Sequence, residues 1–495
     1  MAAPRAGMLL LPRVTAAAAL RALRQGRRLA WTSAPLRRHG SSGGGSSGGS
    51  CRSFLDVHAR GLLHGVYPEA SLELRALLES ARQCVYCGFD PTADSLHVGH
   101  LLALVLMLHC QRAGHDAVAL VGGATALVGD PSGRAGEREP LSAEAVERNA
   151  ARIGDSLRRV ASNHEALLWR PDSQGPPGRR RQLGAFAVLN NASWYGERDV
   201  VGFLSTVGRH FRMGTMLSRH SVQSRLKSPE GMSLAEFSYQ MFQAYDFLHL
   251  HRELGCVVQL GGADQLGNIM SGQELIHKVT GKEVYGITVP LMTSTTGDKL
   301  GKTAGNALWL NRDRTSPFDL YQHFIRLPDA EVERYLKLLT FLPLAEVSHV
   351  MERHRETPDK RGAQRRLATE VVKLVHGQDG LESAIRCTKV LYEGSTQDLE
   401  AMDDTELREL FRESSFTELV LEPGTSLHDM CLRVQAVPEG SHGLQMIESG
   451  GVRVNHERVT NPDQVLVLGQ HVLRNGLSLL RIGKKNYYIV KWLNV

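Results

Sequence analysis

No acidic residue occurs before Asp56, whereas nine arginines do: Arg5, Arg13, Arg21, Arg24, Arg27, Arg28, Arg37, Arg38 and Arg52. An acid-free leader rich in Arg, Ala and Leu has the composition of a mitochondrial transit peptide. A disordered basic tail and a secretory signal are the alternatives. Arg13, Arg21 and Arg24 interrupt the apolar stretch that a secretory signal needs, so the composition favours import, with the mitochondrial matrix as destination. The Gly/Ser tract from Gly40 to Ser50 has nothing to bury and reads as a linker.

Other absences narrow the class further. No run approaches the ~20 uncharged apolar residues of a bilayer-spanning helix, so no membrane partner is expected. Only seven cysteines occur, without paired spacing except in Cys84-Val85-Tyr86-Cys87. That spacing implies no disulfide framework, and zinc needs two further ligands that do not follow. A strand through Gln83–Phe89 also sends Cys84 and Cys87 to opposite faces. Both read as buried thiols in a reducing compartment, and no protein metal site is expected. The net charge of +6 belongs to the leader: taking its nine arginines from 58 basic residues leaves 49 against 52 acidic ones. The body therefore has no global basic surface, and any nucleic-acid contact must be local.

What is present is alternation. Apolar runs at Gln83–Phe89, Ala117–Val121, Ala185–Asn190 and Val257–Leu260 are separated by amphipathic segments at Gly99–Ala113, Ala143–Val160 and Leu234–His249. Strands alternating with helices predict an α/β fold with a parallel sheet. Gly122-Gly123 and Gly261-Gly262 follow two of the strands, at the carboxyl edge where such sheets bind ligands. The segment Pro171–Gln182, with three arginines, reads as a solvated surface loop. From Asp329 to about Arg412 the pattern is wholly helical, with Lys360–His376 a clear amphipathic run. Short β-like segments follow from Gly424, and no internal repeat is present.

Two elements carry chemistry. Asp90-Pro91-Thr92 leads into His97-Val98-Gly99-His100, which opens a helix. Free amides and the positive end of the helix dipole there favour an anion such as phosphate. Gly99 lets a flat base approach the backbone, and Thr92, His97 and His100 can donate to a phosphate whose charge grows. An HxxH pair alone also fits half of a zinc site. Lys299-Leu300-Gly301-Lys302-Thr303, flanked by Gly297 and Gly305, suits a mobile loop that clamps a polyphosphate. Alone it equally describes solvated lysines.

In this order, on a parallel-sheet pattern, the pair matches the two signature motifs of class I aminoacyl-tRNA synthetases. The stretches YCGFDPTADSLHVGH (Tyr86–His100), VGGATALVGDPSG (Val121–Gly133), FSYQMFQAYDF (Phe237–Phe247) and QLGGADQLGN (Gln259–Asn268) resemble tyrosyl-tRNA synthetases of the bacterial and mitochondrial type. The resemblance runs from about Phe54 to the C-terminus. It implies a Rossmann-like class I catalytic domain over 54–328 with an inserted dimerisation region, after a transit peptide and linker over 1–53. A helical anticodon-binding-like domain over 329–415 and a small α+β ribosomal-protein-like RNA-binding module over 416–495 would follow.

The same resemblance implies the residues' roles. Tyr86 and Asp246 would read the phenolic hydroxyl of tyrosine. Asp130, Tyr239 and Gln243 would hold its amino group, with Gln265 near the carboxylate. Asp90, Gly99, Gly262, Asp264 and Met292 would lie against ATP. Thr92, His97, His100, Lys299, Lys302 and Thr303 would stabilise the phosphate charge. Taken singly, Tyr239, Gln243 and Asp246 fit an ordinary polar stripe on a helix. The substrates would be L-tyrosine, ATP with Mg²⁺ held by its phosphates, and tRNA-Tyr, on a homodimer. Rejection of phenylalanine without editing is a property already established for this family, and no inserted editing domain is evident.

Two departures stand out: Ala263 where many members have Ser, and Leu266 where bacterial enzymes commonly have Trp. Neither position supplies a proton or holds polyphosphate. At the C-terminal end, Gly450-Gly451-Val452-Arg453-Val454-Asn455 resembles an RNA-binding module, although the helix before it lacks positive charge. Arg453, Arg458, Arg481, Lys484 and Lys485 are its candidate phosphate contacts. The rival reading is a non-catalytic RNA-binding protein on a synthetase scaffold.

Overall fold

A computed structural model describes residues 57–69, 71–134, 136–170, 182–196, 198–292, 307–393, 396–402, 406–407, 415–483 and 486–495. The Arg-rich leader, residues 171–181, Lys299 to Thr303 and the pair Lys484 and Lys485 lie outside them. Among the described residues no helix is long and apolar enough to cross a membrane. The chain divides into two compact units, Met1–Arg314 with Pro328–Ala363, and Thr315–Leu327 with Gln364–Val495.

The first unit is built on a six-stranded sheet. Its strands are β1 (Gly65–Tyr67), β2 (Cys84–Phe89), β3 (Asp116–Val121), β4 (Phe186–Asn190), β5 (Cys256–Gly262) and β6 (Tyr285–Val289). They lie in the order β1-β6-β5-β2-β3-β4. β2 to β6 are parallel and β1 pairs antiparallel with β6. The four expected strands form with ends shifted by a residue or two. β1, only three residues long, has too little pattern to read in advance. The strand order reverses between β2 and β5, so the two chains leaving their carboxyl ends diverge and open a crevice there.

Helices α1 (Ser71–Ser80), α2 (Val98–Arg112), α3 (Ala143–Asn163), α4 (Leu234–Leu254) and α5 (Leu266–Thr280) connect the strands. α2 differs from the amphipathic expectation: every residue from Leu101 to Gln111 is buried, because its run of apolar residues covers all faces of the helix. Ser233 and Glu236 form a capping box that fixes the start of α4, and Gly255 ends it in the left-handed conformation. Helices α6 (Asp329–Leu339) and α7 (Leu344–Glu356) also belong to this unit. The helical stretch that begins at Asp329 is therefore shared between the two units.

The second unit contains the helix Pro317–Ile325 and the long α8 (Gly362–Thr388), interrupted at Gly377 where φ is 77°. Its five-stranded sheet has β7 (Ser415–Leu419), β8 (Val452–Val454), β9 (Glu457–Val459), β10 (Leu477–Ile482) and β11 (Asn486–Trp492), in the order β7-β11-β10-β8-β9. Two short helices, α9 (Leu427–Arg433) and α10 (Ser441–Glu448), pack on it through Leu427, Met430 and Ile447.

A basic cluster is buried beside α2. His109 and His164 flank the ring of Phe341, with centroids 4.9 and 4.7 Å away. The Arg112 guanidinium lies over both Phe341 and Trp169 and within 3.2 Å of His164 Nε2. Burial first, then neighbouring arginines, pushes His109 well down and His164 to about 3. In the unfolded chain both accept a proton near the ordinary value of about 6.5. Below that pH the unfolded state binds protons that the folded state refuses, so their contribution, present above 6.5, is lost on acidification. The stability difference between wild type and a His109→Leu/His164→Phe variant should therefore move in the variant's favour by about 1.4 kcal/mol per pH unit per histidine between pH 6 and 5. Urea midpoints across that range test this, and a pH-independent difference contradicts it.

Candidate active site

The carboxyl ends of β2 and β5, the loop after β3 and the inner face of α4 enclose a cavity of about 750 Å³. Tyr86, Asp90, Thr92, His97, Gly99, His100, Asp130, Tyr239, Gln243, Asp246, Gly262, Asp264, Gln265 and Met292 all line it. The fourteen described candidates for tyrosine, ATP and catalytic contact thus share one wall system, whereas Arg453, Arg458 and Arg481 belong to the second unit. Lys299, Lys302 and Thr303 fall outside the described residues.

At the floor, Asp246 accepts from Asn191 Nδ2 at 3.0 Å and from Trp194 Nε1 at 2.9 Å. Burial raises its carboxyl to about 7 against the pull of these donors. Tyr86, 1% exposed, packs on Phe247 with ring centroids 5.1 Å apart. Its hydroxyl has no hydrogen-bond partner among the described residues. A buried hydroxyl without a partner costs about 1–3 kcal/mol, a cost that a ligand hydroxyl can remove.

Higher in the cavity, Asp90 accepts from Tyr239 Oη at 2.7 Å and Thr125 Oγ1 at 2.8 Å, and burial lifts it to about 6. Gly122 is required beside it: a Cβ there would lie 1.9 Å from Asp90 Oδ1. Asp130 accepts from the Ser132 amide, Gln265 Nε2 and Asn268 Nδ2 at 2.9, 2.7 and 3.3 Å. Asn268 Nδ2 also donates to Gln243 Oε1 at 3.0 Å. Asp90, Asp130 and Asp246, with Glu137 and Asp264 on the same wall, make a cluster of carboxyl groups suited to an ammonium group.

At the mouth, the histidine pair differs from the expectation of open helix amides. His97 is the N-cap of α2, and its Nδ1 accepts from the Gly99 amide at 3.1 Å. His100 Nδ1 accepts from the His97 amide at 3.2 Å, and the rings stack 3.9 Å apart. The Val98 amide donates to the Leu308 carbonyl and the His100 amide to the His97 carbonyl. The first amides of α2 are therefore occupied. With both Nδ1 atoms accepting, each neutral ring carries its proton on Nε2, which becomes the donor.

Several wall residues escaped the sequence reading. Thr125 and Asn191, which line the cavity, and Trp194 and Asn268, which do not, donate to carboxylates distant from them in sequence. Arg134 and Arg138 bring guanidinium groups whose Nε atoms have no partner among the described residues. Both follow directly on Val121–Gly133, so extending that stretch by five residues would have found them. Of the cysteine pair, Cys87 lines the cavity, whereas Cys84 Sγ lies 2.6 Å from Cys256 Sγ on the neighbouring strand. Burial raises the Cys87 thiol to about 12. Among the described residues no group of three or more His, Cys, Asp or Glu is placed to hold a metal.

Because Asp246 ionises near 7 in the folded protein, binding that uses its carboxylate should weaken on acidification. The kcat/KM for the ligand read at Tyr86 and Asp246 is expected to fall as pH drops below about 7, approaching tenfold per unit. A profile flat from pH 8 to 6 contradicts this.

Comparison with known proteins places the site in a lineage. The family described as tRNA synthetases class I (W and Y) matches residues 79–393. The chain is 61% identical over 443 residues to the mitochondrial tyrosine–tRNA ligase of Rattus norvegicus, covering 88% of this chain and 92% of that one. It is 40% identical to the tyrosine–tRNA ligase of Geobacillus stearothermophilus, covering 89% and 99%. A C-terminally truncated mitochondrial tyrosyl-tRNA synthetase of Aspergillus nidulans superposes with a TM-score of 0.61 at 32% identity, covering 75% of this chain and 97% of that structure. The signature motifs, the parallel sheet and the cavity at its switch point thus have one explanation: the chain belongs to the class I tRNA synthetases, in the tyrosine–tRNA ligase family.

Proposed function

We propose that this protein activates L-tyrosine with ATP and transfers it to tRNA-Tyr in the mitochondrial matrix. The observation that carries the specificity is the partnerless hydroxyl of Tyr86 in the same cavity as the buried Asp246 carboxylate. The substrate phenol donates to Asp246 and accepts from Tyr86. Phenylalanine leaves the Tyr86 hydroxyl unpaired and gives the buried Asp246 carboxylate no donor beyond Asn191 and Trp194. The substrate ammonium meets Asp130, Gln243 and the Tyr239 hydroxyl, and Gln265 lies beside the carboxylate.

The tyrosine carboxylate then attacks the α-phosphorus of ATP. The new acyl–phosphate bond forms as the bond to the bridging oxygen breaks, and pyrophosphate leaves with the electron pair. Asp90, Gly99, Gly262, Asp264 and Met292 hold the nucleotide. Thr92, the Nε2–H groups of His97 and His100, and the Lys299-to-Thr303 segment stabilise the charge on the phosphates. Arg134 and Arg138 add guanidinium groups to the same wall. Mg²⁺ arrives with ATP, held by phosphate oxygens and water. Catalysis proceeds by positioning and electrostatics, with no covalent intermediate on the protein.

Contact with tRNA outside the cavity is assigned to the C-terminal sheet. Arg453 on β8 stands directly opposite Arg458 on β9 and Arg481 on β10, which in turn faces Tyr487 on β11. Cross-strand partners share a face, so three arginines form one row with an aromatic ring at its end. The Arg481 guanidinium lies 5.7 Å from the Tyr487 ring centroid. Like charges directly opposite oppose each other, and a phosphate backbone relieves that repulsion. Lys484 and Lys485, which lie outside the described residues, are the remaining candidate phosphate contacts from the sequence. A homodimer completes the reading, as the family resemblance implies.

ATP–pyrophosphate exchange across a panel of amino acids tests the core of this reading. Exchange with tyrosine alone is expected, and Asp246→Ala should abolish it. Exchange with no amino acid contradicts the enzyme reading and favours the RNA-binding scaffold, and exchange with tryptophan but not tyrosine contradicts the specificity. For the sheet, Arg453→Ala/Arg458→Ala/Arg481→Ala should weaken tRNA binding and reduce its salt slope by about 3 while leaving exchange unchanged. An unaltered salt slope removes the row from the interface.

A further inference from the structure

The segment Leu308 to Arg314 runs beside the turn into α2 and pairs with it. The Leu310 amide donates to the Leu96 carbonyl at 2.8 Å, and the Val98 amide donates to the Leu308 carbonyl at 3.0 Å. Trp309 thereby stands opposite His97 in an antiparallel bridge. Leu96 and Leu310, on either side of the crossing, are 1% and 0% exposed, so water does not compete for these two bonds. Asn311, 6% exposed, ties the same segment to two further places. Its amide donates to Ser95 Oγ at 3.1 Å and its Nδ2 to the Asp94 carbonyl at 2.9 Å. Its Oδ1 accepts from Ser156 Oγ and from Arg159 Nη2, both on α3. A buried amide group met on both sides of its head fixes the chain at that residue.

Arg314 completes a line of contacts at the mouth of the cavity. Its guanidinium pairs with Asp94 at 2.6 Å and lies over the Trp309 ring, 4.9 Å from the centroid. The Trp309 ring meets the His97 imidazole edge-on, with centroids 6.2 Å apart and planes at 64°. His97 in turn stacks on His100. Trp309 lines the cavity together with both histidines. One side chain thus connects an ion pair outside the phosphate-facing groups to an imidazole among them.

The Gly99 amide, donating to Nδ1, fixes one point of the His97 ring. The tilt of its plane is set by the rings that touch it, among them His100 and Trp309. That tilt matters because a donor stabilises developing charge best when its direction is set in advance and needs no reorganisation during the reaction. We propose that Trp309 is a positioning residue for tyrosine activation. Held by Arg314 and by the bonds of Asn311, it sets the plane of the His97 imidazole and with it the direction of the Nε2–H. This rests on the reading that His97 donates to the phosphates of ATP.

A double-mutant cycle with His97, read by pyrophosphate exchange in the full-length protein, tests the assignment. Trp309→Ala should lower kcat at least about tenfold while KM for ATP and for tyrosine stays within about twofold, because the ring acts on charge that develops after binding. Trp309→Phe, which keeps an aromatic ring against His97, should recover most of the loss. In a His97→Ala background, where the donor is already gone, Trp309→Ala should cost less than about twofold further. An equal loss in both backgrounds overturns the proposal, since the ring would then act without His97. A rise in KM for ATP at unchanged kcat also overturns it and makes Trp309 a wall of the nucleotide site. Arg314→Met, which removes the charge over the ring, should lower kcat with the same dependence on His97. It carries the cycle where thermal melting shows Trp309→Ala to be unfolded, and an Arg314→Met loss that is independent of His97 then overturns the proposal. Wild-type protein without tyrosine-dependent exchange fails at the proposed function instead, so the two failures are distinguished.

Discussion

A carboxylate removed from water must be met by donors or give up its charge, and three of the five carboxyl groups lining one cavity in this protein, Asp90, Asp130 and Asp246, are met in this way by side-chain donors. Much of the local architecture answers that constraint. Asn191 and Trp194 reach from the segment after β4 to Asp246. Thr125 and Tyr239 converge on Asp90 from either side. Gln265 and Asn268, at the start of α5, serve Asp130. Gly122 is a glycine because the Asp90 carboxylate occupies the space a Cβ would take. Even so, Asp246 and Asp90 are lifted to about 7 and 6, so the donors offset burial only in part.

That incomplete compensation is where stability and function meet. Both groups have folded-state values above the ordinary carboxyl value. Their contribution to stability is fully present below about pH 4 and is lost as pH rises through 6 to 7. The two carboxyl groups are therefore least stabilised near neutrality, where, on the proposed reading, a substrate ammonium and phenol would supply what the protein lacks. The partnerless Tyr86 hydroxyl has the same character. A site left short of partners in this way gains its discrimination from ligands that complete it, and rejects those that cannot.

How much of this was legible in the sequence follows from the range of each signal. β2, β3 and β5 announced themselves because strands buried on both faces read as unbroken apolar runs, and β4, an edge strand with alternating burial, carries a similar apolar run. The quoted motifs brought thirteen described residues to one cavity, since each motif sits at a strand end, at a helix start or along α4 on that side of the sheet. Three kinds of feature were hidden. The donors to Asp246 lie 52 and 55 residues away in sequence, and no local pattern links them. The roles of His97 and His100 were inverted at Nδ1, because capping depends on where the helix begins, to the residue. The arginine row appears only when the register of β8, β9 and β10 is known, since Arg453, Arg458 and Arg481 share no spacing that suggests one face.

The central claim is that the phenol of tyrosine completes Tyr86 and Asp246. Calorimetric binding of L-tyrosine and L-phenylalanine to the ATP-free protein at pH 6, in two buffers of different ionisation enthalpy, tests it most directly. Tyrosine should bind at least about thirtyfold more tightly, two forgone hydrogen bonds at about 1 kcal/mol each, and should release a proton as Asp246 ionises. Equal affinities, or tyrosine binding without proton release, would contradict the account.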